Sequence, residues 1–229
     1  MSINYGGIIM NDIINTISKK IEGVESMNAG QMREILIGIN EGVDVSIYAD
    51  PKFSAAQMKA IREGIQKSQD ISKYAGKYNS LQLAQINSGL EKGLDVSAYA
   101  DPKFTSIQMR EIRKGLEENI DVSVFADAKF NADQMECIRT GLEKGLDVSI
   151  YANPEYSAPK MRLLCDALVY GVPTSDVKRI AIPAYDAGQL RVIVRGLKHG
   201  LDTTGYEDTN LQVYAMADKF RELLKEKRK

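Results

Sequence analysis

The stretch Gly89–Phe104, GLEKGLDVSAYADPKF, decides the fold because the chain repeats it. GLEENIDVSVFADAKF follows from Gly115, and GLEKGLDVSIYANPEY follows from Gly141. Outward from these copies, a Gln-Met pair or a near match marks the start of each repeat, at Gln31, Gln57, Gln82, Gln108, Gln134, Lys160 and Gln189. A period of about 20–50 residues is typical of a solenoid, propeller or array.

Each repeat carries its own helix signals. Ser54 stands three residues before Gln57, and Ser, Thr or Asn recurs at this place, which is the pattern of a capping box. An apolar stripe follows at i, i+3 and i+7, as in Met109, Ile112 and Leu116. A Gly or Asn then ends the helix where a left-handed residue is needed. The Asp that comes next caps a short turn, which we predict to be 3₁₀.

A small residue also stands in the middle of every long helix: Gly38, Gly64, Gly89, Gly115, Gly141, Ala167 and Gly196. Gly lowers helix stability by roughly 1 kcal/mol relative to Ala. We therefore expect a steric need for the glycines, which is close approach by the backbone or a bulky side chain of a neighbouring repeat.

The sequence therefore predicts an all-α fold. It is a right-handed solenoid of about seven repeats of about 25–29 residues, each a long α-helix plus a short 3₁₀-like turn, with capping helices at both ends. Residues 1–30 are the predicted N-terminal cap, residues 31–209 the solenoid and residues 210–229 the C-terminal capping helix. The N-terminal cap carries an apolar stripe at Ile13, Ile14, Ile17, Ile21 and Val24. Met1 and Met10 are both candidate starts of translation.

Charge and composition narrow the function classes. The chain has 30 Lys and Arg against 31 Asp and Glu, a net charge of −1, which gives no general attraction to nucleic acid or to an anionic membrane. We see no apolar run of transmembrane length and no signal-peptide pattern. Cys137 and Cys165 form no CxxC pair, and reduced thiols suit the predicted cytoplasmic location.

The repeated polar residues have structural interpretations that compete with chemical ones. The Asp residues at 44, 95, 121 and 147 are predicted to be helix caps, and not catalytic carboxylates. The Tyr row could stack bases but its apolar surroundings favour the core. Lys52 and Lys103 each follow an Asp that neutralises them, and His199 precedes a predicted helix end, where its positive ring suits the dipole. We therefore predict no catalytic residue, no cofactor and no metal site, and hence no enzyme.

Positions that vary between repeats are the candidates for partner contact, with drift on a solvated surface as the alternative. In the last two repeats these positions become apolar. Either the C-terminal helix covers that surface, or a second copy or a target does. The candidate partner-binding residues are Arg62, Arg113, Arg139, Leu163, Tyr170, Val192 and Val194.

The motif QMxxIxxGLExGLDVSxYADPKF, which recurs with small changes between Gln82 and Tyr156, resembles a short-helix repeat of Firmicutes and their mobile elements. Its helix alternation is also similar to that of leucine-rich-repeat-variant solenoids. The resemblance implies a fold, and the mobile-element association implies an inhibitor of a host defence system.

The sequence thus favours a non-enzymatic protein-binding repeat module, more specifically a phage or mobile-element inhibitor of host defence. The alternative is a nucleic-acid-binding helical solenoid. The expected partner is another protein, with a homodimer through the C-terminal repeats as the other arrangement, and neither nucleic acid nor a membrane is expected to bind.

Overall fold

The computed structural model describes residues 22–228, and within that range no residue lies in a β-strand. The α-helices of this part of the chain are α1 (Ala29–Asn40), α2 (Ala55–Gln66), α3 (Ser80–Glu91), α4 (Ser106–Glu117), α5 (Ala132–Glu143), α6 (Ala158–Val169), α7 (Thr174–Ile180), α8 (Ala187–Lys198) and α9 (Val213–Lys227). Short 3₁₀ turns lie at Val24–Ser26, Val45–Ile47, Ser72–Tyr74, Val96–Ala98, Val122–Val124, Val148–Ile150 and Thr204–Tyr206. The predicted all-α repeat architecture is confirmed.

The chain forms two compact units, which divide between Met109 and Arg110. In the first unit, α1 packs on α2 and α2 packs on α3. In the second, α5 packs on α6, α6 on α8, and α8 on α9. Consecutive long helices are therefore neighbours within each unit, as expected for a helical-repeat solenoid.

The predicted helix starts and stops are confirmed. Ser54 accepts from the backbone N–H of Gln57, whose side-chain oxygen accepts from the N–H of Ser54, so that the capping box is complete. The helix ends have positive φ at Gly42, Gly93 and Gly145, and also at the non-glycine residues Ser68 and Asn119. These five residues hold the left-handed conformation that a helix C-terminus needs.

The Gln of each capping box also joins consecutive repeats. The side-chain nitrogen of Gln82 donates to the carbonyl oxygens of Pro102 (3.3 Å) and Phe104 (2.7 Å), while its oxygen accepts from the N–H of Asn79. Bonds at the same positions are made by Gln31, Gln57, Gln134 and Gln189. One carboxamide therefore caps its own helix and also binds the turn that precedes the next helix.

Most mid-helix glycines lie against a side chain of their own repeat, and that side chain leaves no space for a Cβ atom. This corrects the expectation that a neighbouring repeat approaches them. A Cβ on Gly89 would lie 1.9 Å from the hydroxyl oxygen of Tyr99, and a Cβ on Gly38 would lie 1.9 Å from that of Tyr48. Gly141 and Gly196 face a tyrosine hydroxyl in the same way. The tyrosine comes from the 3₁₀ turn that follows the helix, so each repeat folds back on its own glycine. Gly64 is different, because its nearest atom belongs to the next repeat.

The sixth repeat departs from the predicted unit. Its short turn is a seven-residue α-helix, α7, instead of a 3₁₀ turn. The extra residues Pro173, Thr174 and Ser175 supply a helix start, and Ile180 occupies the place that Tyr48 holds in the first repeat. The longer turn is therefore a local consequence of the insertion.

The two predicted caps have different outcomes. The N-terminal stripe lies outside the described residues except for Val24, which is buried in a 3₁₀ turn. At the other end α9 forms as predicted and packs on α8. Its buried residues are Met216 and Phe220, whereas Tyr214 on the same helix is 71% exposed.

We predict that Gln82→Met lowers the free energy of unfolding by about 2–3 kcal/mol, because it leaves buried carbonyl groups without a donor. Gln82→Lys should have a smaller effect, since Lys160 stands at this position in the sixth repeat and donates to the carbonyls of Ile182 and Tyr185. Urea denaturation followed by circular dichroism measures both changes. The exposed Gln66→Met is the control, expected within about 0.5 kcal/mol of the parent chain. Unfolding of Gln82→Met at the parent's urea midpoint would exclude a role for these bonds.

We also predict that Gly89→Ala destabilises the protein by about 1–3 kcal/mol, because the added Cβ overlaps the Tyr99 hydroxyl. Helix propensity alone predicts the opposite sign. The effect should shrink in a Tyr99→Phe background, as a double-mutant cycle of melting temperatures will measure. Ser88→Ala, on the preceding residue of the same helix, is the control. An equal effect of Gly89→Ala in both backgrounds would contradict the steric explanation.

Candidate functional site

Two of the variable positions face the neighbouring repeat instead of solvent. The third residue after the Gln of one repeat lies towards the fifth residue after the Gln of the next. We call these the inter-repeat pairs, and by this spacing those within the two units are Glu34–Arg62, Ala60–Asn87, Glu111–Arg139, Cys137–Cys165 and Leu163–Val194, with Lys160 standing in place of Gln in the sixth repeat. Three contacts support this register: Arg62 binds Glu34, Arg139 binds Glu111, and the Asn87 amide donates to the carbonyl of Ala60 at 2.7 Å.

In two places the inter-repeat pair is part of a buried ion cluster. Arg62 lies 3.1 Å from Glu34 and 2.6 Å from Glu41. Burial acts to lower the pKa of the Arg62 guanidinium, but the hydrogen bonds to Glu41 and Glu34 outweigh it and raise that pKa. A fixed positive charge therefore lies between two carboxylates in the first unit.

The second unit contains the same cluster. Arg139 lies 3.3 Å from Glu111 and 3.0 Å from Glu118. Lys114 and Arg110 also contact Glu111, each at 3.2 Å. Glu111 is therefore compensated by three cations, whereas Arg62 is the one cation that contacts Glu34 in the described part of the chain.

These contacts correct the expectation that the candidate residues face outward. Arg62 is 6% exposed, Arg139 is 8% exposed, and Val194 is buried. Leu163 and Val192 are half-buried, and Arg113 binds Glu117 on its own helix. Of the seven candidates, Tyr170 alone is largely exposed, at 72%. The buried members contribute to packing between repeats, and binding through them would require the repeats to separate.

The apolar surface of the last repeats is partly covered. Phe220 on the C-terminal helix α9 is buried, and its ring lies beside His199 and under the Arg195 guanidinium of α8. Val169 and Tyr170, at the end of α6, remain exposed. The terminal helix therefore accounts for part of this surface and leaves an aromatic patch.

A row of cations lies on the helix next to this patch. Arg191, Arg195 and Lys198 are exposed on one face of α8, and none of them forms an ion pair with a described residue. The Lys198 ammonium lies 3.7 Å from the centre of the Tyr170 ring. We call Val169, Tyr170, Arg191, Arg195 and Lys198 the Tyr170 surface. The i, i+4, i+7 spacing of its cations is visible in the sequence, but the sequence analysis selected only apolar residues of this helix as candidates.

The two cysteines border a cavity of about 310 Å³ between α5 and α6. Its lining includes Cys137, Thr140, Lys144, Arg162, Cys165 and Val169. Both thiols are buried, and Cys137 donates to the carbonyl of Ala158 at 3.6 Å. Burial raises the pKa of the Cys137 thiol; nearby Arg162 opposes this effect and neighbouring Cys165 adds to it.

The repeated residues behave as the structural interpretations predicted. Asp95 accepts from the backbone N–H of Ser97, and hydrogen bonds from Ser97 lower the pKa of this exposed carboxyl group. Such a carboxylate is a helix cap and a poor general acid. Tyr48 and Tyr206 are buried, and burial raises their pKa values to about 12. His199 caps the end of α8 and lies beside the Phe220 ring.

Residues 22–228 contain neither a cluster of metal ligands nor a helix that could span a membrane. No group of three or more His, Cys, Asp or Glu side chains there is arranged to hold a metal ion. None of the helices in that range is long and apolar enough to cross a membrane.

The two ion clusters give a comparative prediction. Arg62→Met should destabilise the protein by about 3–5 kcal/mol, because it leaves Glu34 buried without a counter-charge. Arg139→Met should have a smaller effect, since Lys114 and Arg110 remain beside Glu111. Denaturant unfolding of both variants measures the difference. The double variant Glu34→Leu/Arg62→Met should recover much of the loss. Equal losses for the two single variants would show that the extra cations do not compensate Glu111.

No protein family model, no curated protein and no solved structure matches the chain.

Proposed function

We propose that this chain is a non-enzymatic protein-binding repeat module that acts through the Tyr170 surface. The observation that carries the proposal is the exposed Tyr170 ring with the Lys198 ammonium above it. Tyr and Arg are enriched where proteins bind one another, because they combine contact area with polar groups. Val169 extends the apolar part of this surface.

The charge of the surface favours a partner with carboxylates. Arg191, Arg195 and Lys198 have no acidic partner in the described chain, whereas Arg162 on the preceding long helix has Glu136 at 3.5 Å. An acidic partner surface would supply the missing counter-charges and accelerate association.

A nucleic-acid-binding helical solenoid is the second candidate, and the same row of cations favours it. An exposed tyrosine can also stack on a base. Three cations would release few counterions, however, and the chain as a whole is close to neutral. Acidic residues, including Glu136, Glu143 and Asp166, are exposed on the two preceding long helices. A protein partner therefore agrees better with this surface.

The non-enzymatic part of the proposal is supported by the roles that the candidate groups have in the fold. The repeated Asp residues are caps, the buried tyrosines pack against glycines, and His199 ends a helix. A homodimer through the C-terminal repeats is the other arrangement that the Tyr170 surface could serve.

The finer proposal is a cytoplasmic phage or mobile-element protein that inhibits a host defence system. It is supported by the resemblance of the repeat motif, and the two free cysteines agree with a reducing compartment. This proposal is more specific than the binding role, and the two are tested by different experiments.

Photo-cross-linking in the native host tests the binding role. We predict that a benzophenone amino acid at position 170 cross-links to a protein, whereas the same group at Leu81, which is 66% exposed in the first unit, does not give that product. Mass spectrometry of both protein and nucleic acid identifies the cross-linked species. Arg195→Glu should reduce the product, because it reverses a charge beside the surface. Cross-linking mainly to nucleic acid, or to a second copy of the chain, would replace the proposal with the corresponding alternative.

A further inference from the structure

The cavity beside the cysteines lies where other repeats have an ion cluster. Glu34, Arg62 and Glu41 occupy three register positions in the first unit, and Glu111, Arg139 and Glu118 occupy the same positions in the second. One repeat further along, these positions are held by Cys137, Cys165 and Lys144. Two short thiols and a lysine thus replace two carboxylates and a guanidinium, and the space that remains is about 310 Å³.

The register brings the two thiols towards each other. Cys137 and Cys165 have the same offset as Glu111 and Arg139, whose side chains meet at 3.3 Å. Asn87, at the position of Cys165 in an earlier repeat, reaches the backbone of Ala60, at the position of Cys137. Both thiols border the one cavity, so a species inside it can reach both.

A third observation is a buried hydroxyl next to this pair. Tyr48 donates to the carbonyl of Glu34 at 3.1 Å, but the hydroxyl of Tyr151, at the same position in the fifth repeat, makes no such bond to the preceding helix, and the Tyr206 hydroxyl in the last repeat makes none either. Tyr151 is completely buried and adjoins the Cys165 thiol. It is a donor that a thiolate at Cys165 would satisfy.

We infer that Cys137 and Cys165 form a binding site for one soft monovalent metal ion of the Cu(I) class, held between two thiolates. When the ion binds, two S–H bonds break, two metal–sulfur bonds form and two protons pass to solvent, with no change of oxidation state. The resulting bis-thiolate group carries one negative charge. Lys144, which has no ion pair within the described chain, lies on the same cavity to balance it.

The ligand set selects against other ions and against a disulfide. Two sulfurs suit a soft ion with linear coordination, whereas zinc sites need four ligands and calcium sites need more. Glu136 and Asp166 also border the cavity, but Glu136 is paired with Arg162, and the described residues form no three-ligand group. A metal ion between two sulfurs spans about twice the length of a disulfide bond. That span suits a register position which other repeats bridge with long side chains.

Anaerobic titration of the full chain with Cu(I), against a chromophoric Cu(I) chelator, tests this site. We expect one tightly held ion per chain and loss of that ion in both Cys137→Ser and Cys165→Ser. Lys144→Glu should weaken binding about tenfold, and Tyr151→Phe should do the same, as is typical of groups around a metal site. Lys92→Glu is the matched control, because Lys92 stands at the register position of Lys144 in the third repeat, without thiols on the paired positions.

A second readout uses only the parent chain and is independent of whether the serine variants fold. Bound Cu(I) should protect both cysteines from alkylation by iodoacetamide, as measured by mass spectrometry of peptides. Unchanged uptake in the double serine variant would overturn the inference by assigning the ion to methionines. Tighter binding of Zn(II) than of Cu(I), or diamide oxidation to a Cys137–Cys165 disulfide in a chain that takes up no Cu(I), would overturn it as well.

Discussion

The carboxamide of the repeated Gln is the interaction on which the rest of the fold depends. Its oxygen fixes the start of one helix, and its nitrogen binds backbone carbonyls about one repeat further on, so that the side chain sets the length of the intervening chain. The sixth repeat illustrates this constraint, because both its length and its linking side chain differ from those of the other repeats. Three extra residues move the next turn along the chain, and the longer side chain of Lys160 stands in place of Gln and reaches Ile182 and Tyr185. A change in repeat length and a change in the length of the linking side chain therefore occur together.

A second constraint couples the middle of each helix to its own turn. Where the turn supplies a buried Tyr, as in Tyr99, the helix has Gly at the point of contact. Where it supplies Phe125, the Gly remains and the nearest ring atom would be 3.0 Å from an added Cβ. Where it supplies Ile180, the helix has Ala167. The small residue thus follows the size of the side chain that packs over it, and its unfavourable helix propensity is offset by burial of an aromatic ring.

The sequence predicted the helices, their caps and their left-handed ends, because these depend on residues only a few positions apart. It did not predict which way Arg62, Arg139 and Val194 face, because that depends on a residue in the preceding repeat. A stripe of period 3.6 locates the apolar side of a helix, but the flanks of that stripe can meet either solvent or a neighbouring helix. The shared offset of Glu34–Arg62 and Glu111–Arg139 was the available signal, since opposite charges recur at one spacing. Tyr170 was among the predicted candidates, but the cations beside it were not, because whether Arg191, Arg195 and Lys198 meet a carboxylate depends on residues of other elements.

Burial of the inter-repeat pairs changes what variation between repeats means. In an ionic, thiol or apolar pair, each residue complements a partner of the same kind. A shift of the packing by one repeat would separate Arg139 from Glu111 and place it opposite a residue without a carboxylate. An unpaired buried guanidinium is strongly destabilising, so these pairs favour one order of packing over shifted ones. Variation at these positions therefore helps to specify the fold, and a surface that binds a protein partner must be sought where side chains vary and also remain exposed. On α8 those side chains are Arg191, Arg195 and Lys198, whose charges no carboxylate among residues 22–228 neutralises. A partner's carboxylates would gain most there, because they would not have to displace an existing ion pair.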